Sequence, residues 1–552
     1  MQDRHLTFWP PALPQHLTIP ATSLYHNVEV AAARYPDKPF LVFYDSPISF
    51  STFHQQTLSI AGYLQQVCGV KKGDRVLLYL QNSPQFMLAY YGILRAGAVV
   101  VPINPMNLGA ELRYLVEDTG AAIAFVAQDL LHAIQPMLGS GLTRLIVVTY
   151  SDYVQAATKH AVPKIFAAPR IAIDDAAVMH WCYMLGAALA PAPCDIEPDD
   201  LCVMPYTSGT TGHPKGCMHT HRSVMYNAVA GAQWFGLQQD TVVLSVLPLF
   251  HVTGMQGTMN GPLYAGCTII LLPRWDADAA ARLVERHRVN VLHLIATMVI
   301  DFLSNPRIDE IDLRSVHTIR GGGAAMPEAV AQQLHTRLGL PYIEGYGMSE
   351  TIAPTHLNPP HRAKPQCLGI PIFDVDARMI DPELLHEVTD GAVGEIIVHG
   401  PQIMQGYWNN PAANAAVFID IDGKRFLRTG DLGRIDEDGY FFMVDRLKRM
   451  INSAGFKVWP AEVEAIMYQH PAIHEVCVVG IDDPRRGQSV TAAVVLKPGS
   501  SVTVTEASII EWSRLNMAAY KIPRHIIFMS ALPKSGTGKI QWRELQQSFS
   551  PA

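Results

Sequence analysis

The densest cluster of reactive groups is the segment Tyr206-Thr-Ser-Gly-Thr-Thr-Gly-His-Pro-Lys215-Gly216, which directly follows the apolar run Leu201 to Met204. Three glycines, four hydroxyls (Thr207, Ser208, Thr210, Thr211) and Lys215 supply backbone N–H groups, O–H donors and a cation, the set that holds a polyphosphate. It is not a Walker A loop, because the Gly-Lys-Ser/Thr ending is missing. The competing reading is a flexible, hydroxyl-rich turn.

Four further segments could act with it. Arg320-Gly-Gly-Gly-Ala-Ala325 follows the apolar Val316 to Ile319, and Glu344-Gly-Tyr-Gly-Met-Ser-Glu350 follows Leu340 to Ile343. Both are glycine-rich ends of expected strands, where α/β proteins place ligands. Glycines let backbone lie flat against a base, Tyr346 offers a ring face and Glu350 a hard oxygen for Mg²⁺; a plain turn-forming glycine cluster explains them equally well. In the third, Asp431 could accept sugar hydroxyls while Arg446 bridges ribose and phosphate oxygens. The last is Pro533-Lys-Ser-Gly-Thr-Gly-Lys539, a glycine loop that presents Lys539 near the C-terminus, where a solvated lysine is the ordinary reading.

Elements that could position these groups are visible in the pattern. RVLLYL (75–80), QFMLAYYGILRAG and AVVVPI (98–103) alternate strand-like and helix-like periods, and similar units follow, the signature of βαβ units and a largely parallel sheet. Past residue 370, DVDARMID, GEIIVHG and GYFFMVD are short strands with glycine turns, suited to a small antiparallel sheet or barrel. A charged segment, Arg446 to Arg449, precedes a helix from Pro460, the strands HEVCVVGI and SVTAAVVL and another helix, which places a boundary at 445–449.

Composition narrows the classes further. At 552 residues, 49% hydrophobic and 16% charged, the chain is multi-domain and globular. A net charge of −7 gives no global pull toward nucleic acid or an anionic bilayer. From Arg446 onward there are thirteen Lys/Arg against eight Asp/Glu, a net +5 that leaves −12 upstream. The eight cysteines form no CxxC pair and read as reduced core thiols. The first residues, with Asp3 and several prolines, do not look like a signal peptide, so a cytoplasmic location is the expectation. Two uncharged stretches, Ala176 to Cys194 and Thr241 to Pro273, are interrupted by Gly and Pro and are not read as membrane spans.

Taken in order, these motifs resemble those of the adenylate-forming superfamily of acyl-CoA synthetases, firefly luciferases and peptide-synthetase adenylation domains, from about residue 25 to 545, with medium- and long-chain fatty acid–CoA ligases the most similar branch. The resemblance implies an α/β protein with a large N-terminal domain (1–445) of βαβ-type sheets plus a small barrel-like subdomain. A hinge (446–448, centred on Lys448) and a small mobile α+β domain (449–552) would follow.

The implied roles fall residue by residue. Thr207, Ser208, Gly209, Thr210, Thr211, Gly212 and Lys215 would hold the phosphates of ATP. Gly322, Gly323 and Ala324 together with Tyr346 would bracket adenine, Glu344, Gly345, Gly347 and Ser349 would belong to the same ATP/AMP site, and Asp431 and Arg446 would bind ribose. Thr211 and Glu350 would approach Mg²⁺. Lys539 would reach the carboxylate and α-phosphate, with His251 and Glu350 the other catalytic candidates. Ser453, Ala454, Gly455 and Lys457 would line the CoA tunnel after the small domain rotates, and Arg485 and Arg486 either meet CoA phosphates or are surface residues. Ala454 stands where many relatives carry glycine. Asn452 and Lys457 replace the Lys and Gln common in aryl-CoA ligases.

For the acid, Thr241 to Pro273 is the informative stretch: a strand, the Phe250-His251 corner, a Gly- and Met-rich helix (Met255, Met259) and a second strand. Glycine inside a helix costs about 1 kcal/mol relative to alanine, so the helix could be leaving room for a ligand. An acyl pocket of Phe250, Met255 and Met259 and a packed core both demand these apolar residues. The lack of Arg or Lys in the stretch argues against a second charge on the acid. The expectation is a fatty acid, with an aryl or hydroxycinnamate acid, or transfer to a carrier protein, as alternatives. At about 0.8 kcal/mol per CH₂, two carbons change affinity about 15-fold, so length is a preference and not a cutoff. The partners expected are small molecules (fatty acid, ATP, CoA), with peripheral membrane contact left open and a monomer or homodimer as the state.

Overall fold

The computed structural model describes residues 4–158, 161–207, 214–323, 325–389, 391–453, 456–483, 485–497, 499, 504–534 and 540–549, with the side chains of Lys448, Phe456 and Lys457 outside that description. The chain forms two compact units, Met1–Asp376 with His399–Leu427, and Ala377–Val398 with Arg428–Ala552.

Among the described residues the first unit holds two nine-stranded sheets. In one, Pro39–Phe43, Thr268–Leu271, Val242–Ser245, Val291–His293, Thr318–Gly322 and Tyr342–Tyr346 run parallel as neighbours. The other is centred on Leu201–Val203, Val99–Pro102, Arg75–Tyr79, Ile123–Ala127 and Arg144–Val148, also parallel. These strands are continuous apolar runs because parallel strands are covered on both faces. The helices that cover them start where capping residues permit. Ser83 accepts from Phe86 N–H at 3.2 Å and Pro84 takes the first helical position of Pro84–Arg95, while Thr220 caps His221–Trp234 through Ser223 N–H at 3.2 Å. Pro84–Arg95 packs with Phe50–Gln66 in a core that also draws Leu41, Phe43, Val76 and Leu78 from both sheets. Such a helix, buried nearly all round, reads as apolar on every face.

The expected strand at Val242 ends at Ser245, and Pro248 turns the chain before a helix that runs from Val252 to Ala265. Its middle, Gln256–Asn260, widens to a π-helical turn. Among the described residues, Asp376–Ile380, Gly394–His399, Phe418–Ile421, Lys424–Ile435 and Phe441–Arg446 form a five-stranded half-barrel sheet, where the sequence pattern implies a small antiparallel sheet or barrel. In the second unit, Ile473–Asp483 and Gly487–Leu496 make a long antiparallel hairpin, joined in parallel by His525–Phe528. Helices Pro460–Met467 and Glu506–Asn516 contribute to one core cluster and Trp542–Phe549 to another. All eight cysteines are free thiols, as their spacing implies, and no described helix is long and apolar enough to cross a membrane.

Candidate active site

The hydroxyl-rich segment springs from a hairpin. Thr207 pairs with Lys215 and Tyr206 with Gly216, so the strand Tyr206–Thr207 and the start of Lys215–Thr220 bring the two ends of the loop together. Ser208, Gly209, Thr210, Thr211 and Gly212 lie outside the described residues. The base of the hairpin is braced from outside: Tyr206 donates to Asp118 at 2.5 Å and Tyr114 to the Pro214 carbonyl at 3.1 Å.

On its other side Lys215–Thr220 pairs with Gly406–Tyr407, with Cys217 opposite Tyr407. This places the Lys215 ammonium 4.8 Å from the centre of the Tyr407 ring, while the Tyr407 hydroxyl donates to Glu350 Oε1 at 2.7 Å. One phenol thus links Lys215 to Glu350, the carboxylate expected at Mg²⁺. Glu350 is 7% exposed; the burial of Tyr407 itself, and then the Glu350 charge beside it, push the phenol far above its ordinary pKa, so Tyr407 stays a donor. Tyr407 carries no local sequence signal; its role comes from pairing across about 190 residues.

The glycine-rich strand ends lie side by side, Gly321 opposite Glu344 and Gly322 opposite Gly345. Packing accounts for several of these glycines. A Cβ on Gly322 would stand 2.4 Å from the Gly345 carbonyl oxygen, on Gly345 2.6 Å from Leu357, and on Gly347 2.8 Å from Pro354. Gly323 differs, with φ +86° and nothing within 4 Å, an open left-handed position next to Ala324, which lies outside the description. Tyr346 is half-buried with its ring 5.7 Å from that of His356, and the Ser349 carbonyl accepts from His219 Nε2 at 2.7 Å. Glu344 is buried and accepts from Met326 N–H (3.3 Å) and Gln366 N–H (3.0 Å); desolvation raises its carboxyl to about 7 despite those donors.

In the second unit, Asp431 and Arg446 are direct cross-strand partners, with Nε 3.1 Å from Oδ1. The Asp431 side chain is 4% exposed and that of Arg446 48%, an acceptor set in the sheet with a cation reaching outward. Lys448 lies on the turn Leu447–Arg449, and Ser453 is buried at the end of Ile451–Ser453. Lys457 stands opposite Asn452 on Phe456–Val458. Ala454, Gly455 and Lys539 are outside the described residues.

His251 N-caps the helix from Val252, its Nδ1 accepting from Thr253 N–H at 3.3 Å; Phe250 beside it is half-buried. Met255 and Met259 are fully buried in the first core, and Tyr90 donates to the Met255 sulfur at 3.6 Å. The helix glycines admit the protein's own atoms. A Cβ on Gly254 would meet the Pro248 carbonyl at 2.3 Å, and one on Gly257 the His293 ring at 2.4 Å. The room expected at these two positions is therefore occupied.

A hairpin lysine, a buried carboxylate and glycine-rich strand ends thus come from the two sheets of the first unit. The family model of the AMP-binding enzyme matches residues 28–408, and that of the AMP-binding enzyme C-terminal domain matches 462–539. The chain belongs to the AMP-binding enzyme family. This AMP-binding enzyme is 35% identical to a long-chain-fatty-acid–CoA ligase of Bacillus subtilis (strain 168), over 99% of this chain and 98% of that protein. It is 33% identical to a feruloyl-CoA synthase of Amycolatopsis sp, over 91% and 94%. Among solved structures, ATP-bound MatB from Rhodopseudomonas palustris superposes with a TM-score of 0.83 at 27% identity, covering 96% of this chain and 99% of that one.

Proposed function

We propose that this AMP-binding enzyme is an acid–thiol ligase that converts a fatty acid, ATP and CoA to acyl-CoA, AMP and pyrophosphate. The observation that carries the reading is the group of Lys215, Tyr407 and Glu350 at the base of the Thr207–Lys215 hairpin. It puts a cation and a carboxylate, the kinds of group that phosphates and a hard metal ion call for, beside one hairpin. The near full-length likeness to a fatty-acid ligase supports the acid assigned.

In the first half-reaction a carboxylate oxygen attacks the α-phosphorus of ATP, the bond to pyrophosphate breaks, and acyl-AMP forms. Backbone N–H groups and hydroxyls of 207–212 with Lys215 hold the departing phosphates, Gly322, Gly323 and Tyr346 hold adenine, and Asp431 takes the ribose with Arg446. The catalysis asked of these groups is positioning and charge neutralisation. A Glu350 carboxylate oxygen and the Thr211 hydroxyl are hard donors of the kind Mg²⁺ takes together with substrate phosphates, and the ion would neutralise phosphate charge. In the second half-reaction the CoA thiol sulfur attacks the acyl carbon and AMP leaves.

On this reading 1–445 is the adenylation body, Lys448 the hinge, and 449–552 a mobile domain whose Lys539 serves adenylation while Ser453, Ala454, Gly455 and Lys457 serve thiol transfer. The enzyme would work in the cytoplasm as a monomer or homodimer. The feruloyl-CoA relative keeps an aryl acid as the second reading.

The test separates the half-reactions. Lys539→Ala should lower pyrophosphate release from palmitate and ATP by about 100-fold or more while acyl-AMP supplied directly is still converted with CoA. Equal pyrophosphate release by both proteins would refute the role of Lys539. Coumarate outperforming both palmitate and octanoate would move the acid to the second reading.

A further inference from the structure

Arg320 precedes the adenine-side glycines, and on strand Thr318–Gly322 alternate side chains face opposite ways. Ile319 joins the core of Leu292 and Leu294, while Arg320 points to the other face, toward the helix that carries Gly257. It is 4% exposed. Its Nη2 donates to the Gly257 carbonyl at 2.9 Å, its guanidinium lies 4.1 Å from the centre of the Phe235 ring, and its Nε has no partner. Its cross-strand neighbour is His293, also buried, with Nδ1 unpartnered and the ring set where a Gly257 Cβ would stand. Among the described residues no carboxylate forms an ion pair with Arg320.

The charge state follows from the surroundings. Burial pushes Arg320 down to about 10, so it remains a cation at neutral pH. Desolvation and the adjacent guanidinium hold His293 neutral, and burial lifts the Cys267 thiol to about 12, so neither supplies a negative charge. A buried cation with one carbonyl and one ring face is under-compensated, since buried charges ordinarily come with a counter-charge. Taken alone, the uncharged stretch 241–273 argues against a second charge on the acid, yet a neighbouring strand supplies the cation that this stretch lacks.

We propose that Arg320 and His293 form a polar end to the acyl pocket and bind an oxygen acceptor on the chain of the substrate acid: a hydroxyl, a keto group or a second carboxylate. This rests on the ligase reading above. The family resemblance puts the carboxyl of the acid beside His251, the N-cap of this helix and six residues from Gly257, about 9 Å along the axis. That span matches a medium-length chain oxygenated at its far end. Guanidinium is a donor only, so the site selects acceptors and penalises a methyl terminus that leaves it unpaired.

The experiment compares octanoate, ω-hydroxyoctanoate, octanedioate and palmitate by kcat/KM for CoA thioester formation in the full-length protein, Arg320→Met and Arg320→Lys. The parent should favour the two oxygenated acids over octanoate by about 10- to 100-fold, the value of a hydrogen bond to a charged group. Arg320→Met should bring that ratio near one, with Arg320→Lys between. A parent that converts octanoate and palmitate with no preference for oxygenated acids overturns the proposal, even if neither variant folds. Equal losses on every acid in Arg320→Met also overturn it, because they describe a clamp on the Gly257 turn. Failure to convert any acid refutes the ligase reading instead.

Discussion

Two arginines largely shielded from water, one in each unit, solve the same problem in opposite ways. Arg449, on the turn Leu447–Arg449 with its side chain 15% exposed, is met by Glu464 through both terminal nitrogens, by Asp445 at 3.9 Å and by the Val478 carbonyl at 3.2 Å. Those carboxylates lift its pKa above the ordinary arginine value against the opposing pull of burial. Arg320 has one carbonyl and an aromatic face, and its pKa falls. The Nε of each lacks a partner, so what separates them is counter-charge. An arginine that brings its carboxylates is held by the fold. One without them can be left for a ligand, and in this chain it stands two residues from the glycines at the proposed nucleotide site.

The contrast can be broken by substitution. Arg449→Met strands Asp445 and Glu464 in the interior and should cost about 3–5 kcal/mol, measured as a lower urea midpoint with faster hydrogen exchange in Ile473–Asp483. A loss under about 1 kcal/mol would mean that the pair holds little.

Glu344 is a buried charge of the other sign, and pH tests it. Its folded pKa of about 7 lies above the ordinary 4.5, so the folded protein favours the protonated acid. The stability it contributes is complete below about pH 4.5 and fades as pH rises through about 7, by roughly 3 kcal/mol in all. Glu344→Gln, uncharged throughout and still able to accept from Met326 and Gln366, should gain on the parent in melting temperature between about pH 5 and 8. A constant difference would show that Glu344 titrates normally.

Gly257→Ala drives a methyl into the His293 ring and should cost about 1–3 kcal/mol, less in a His293→Ala background. A cost unchanged by the second substitution would separate the two residues. Smallest of all, Arg320→Met removes one bond to the Gly257 carbonyl and leaves no carboxylate unpaired, so its cost should stay below about 2 kcal/mol. A loss matching that of Arg449→Met would make Arg320 a structural residue after all.

Much of this was legible from residues in a row. The apolar runs at 75–79 and 99–102 are parallel strands because they are covered on both faces, and the glycine-punctuated pieces after 370 are short strands. Asp431 and Arg446 could be singled out by type, but only strand register makes them partners. Tyr407 and His293 were not legible, since each acquires its neighbour through pairing or packing between distant segments, and an isolated tyrosine or histidine carries no trace of that. The helix glycines misled for the same reason: a missing Cβ is visible in sequence, and the carbonyl or imidazole that fills its place is not.

The central claim is that a carboxylate oxygen displaces pyrophosphate from ATP, and isotope transfer tests it most directly. Octanedioate and palmitate, each with heavy-oxygen-labelled carboxyl groups, would be turned over with ATP, Mg²⁺ and CoA, and the nucleotide and phosphate products weighed by mass spectrometry. The account predicts one labelled oxygen per AMP and none in pyrophosphate. Label in orthophosphate, with ADP as the nucleotide product, would contradict it.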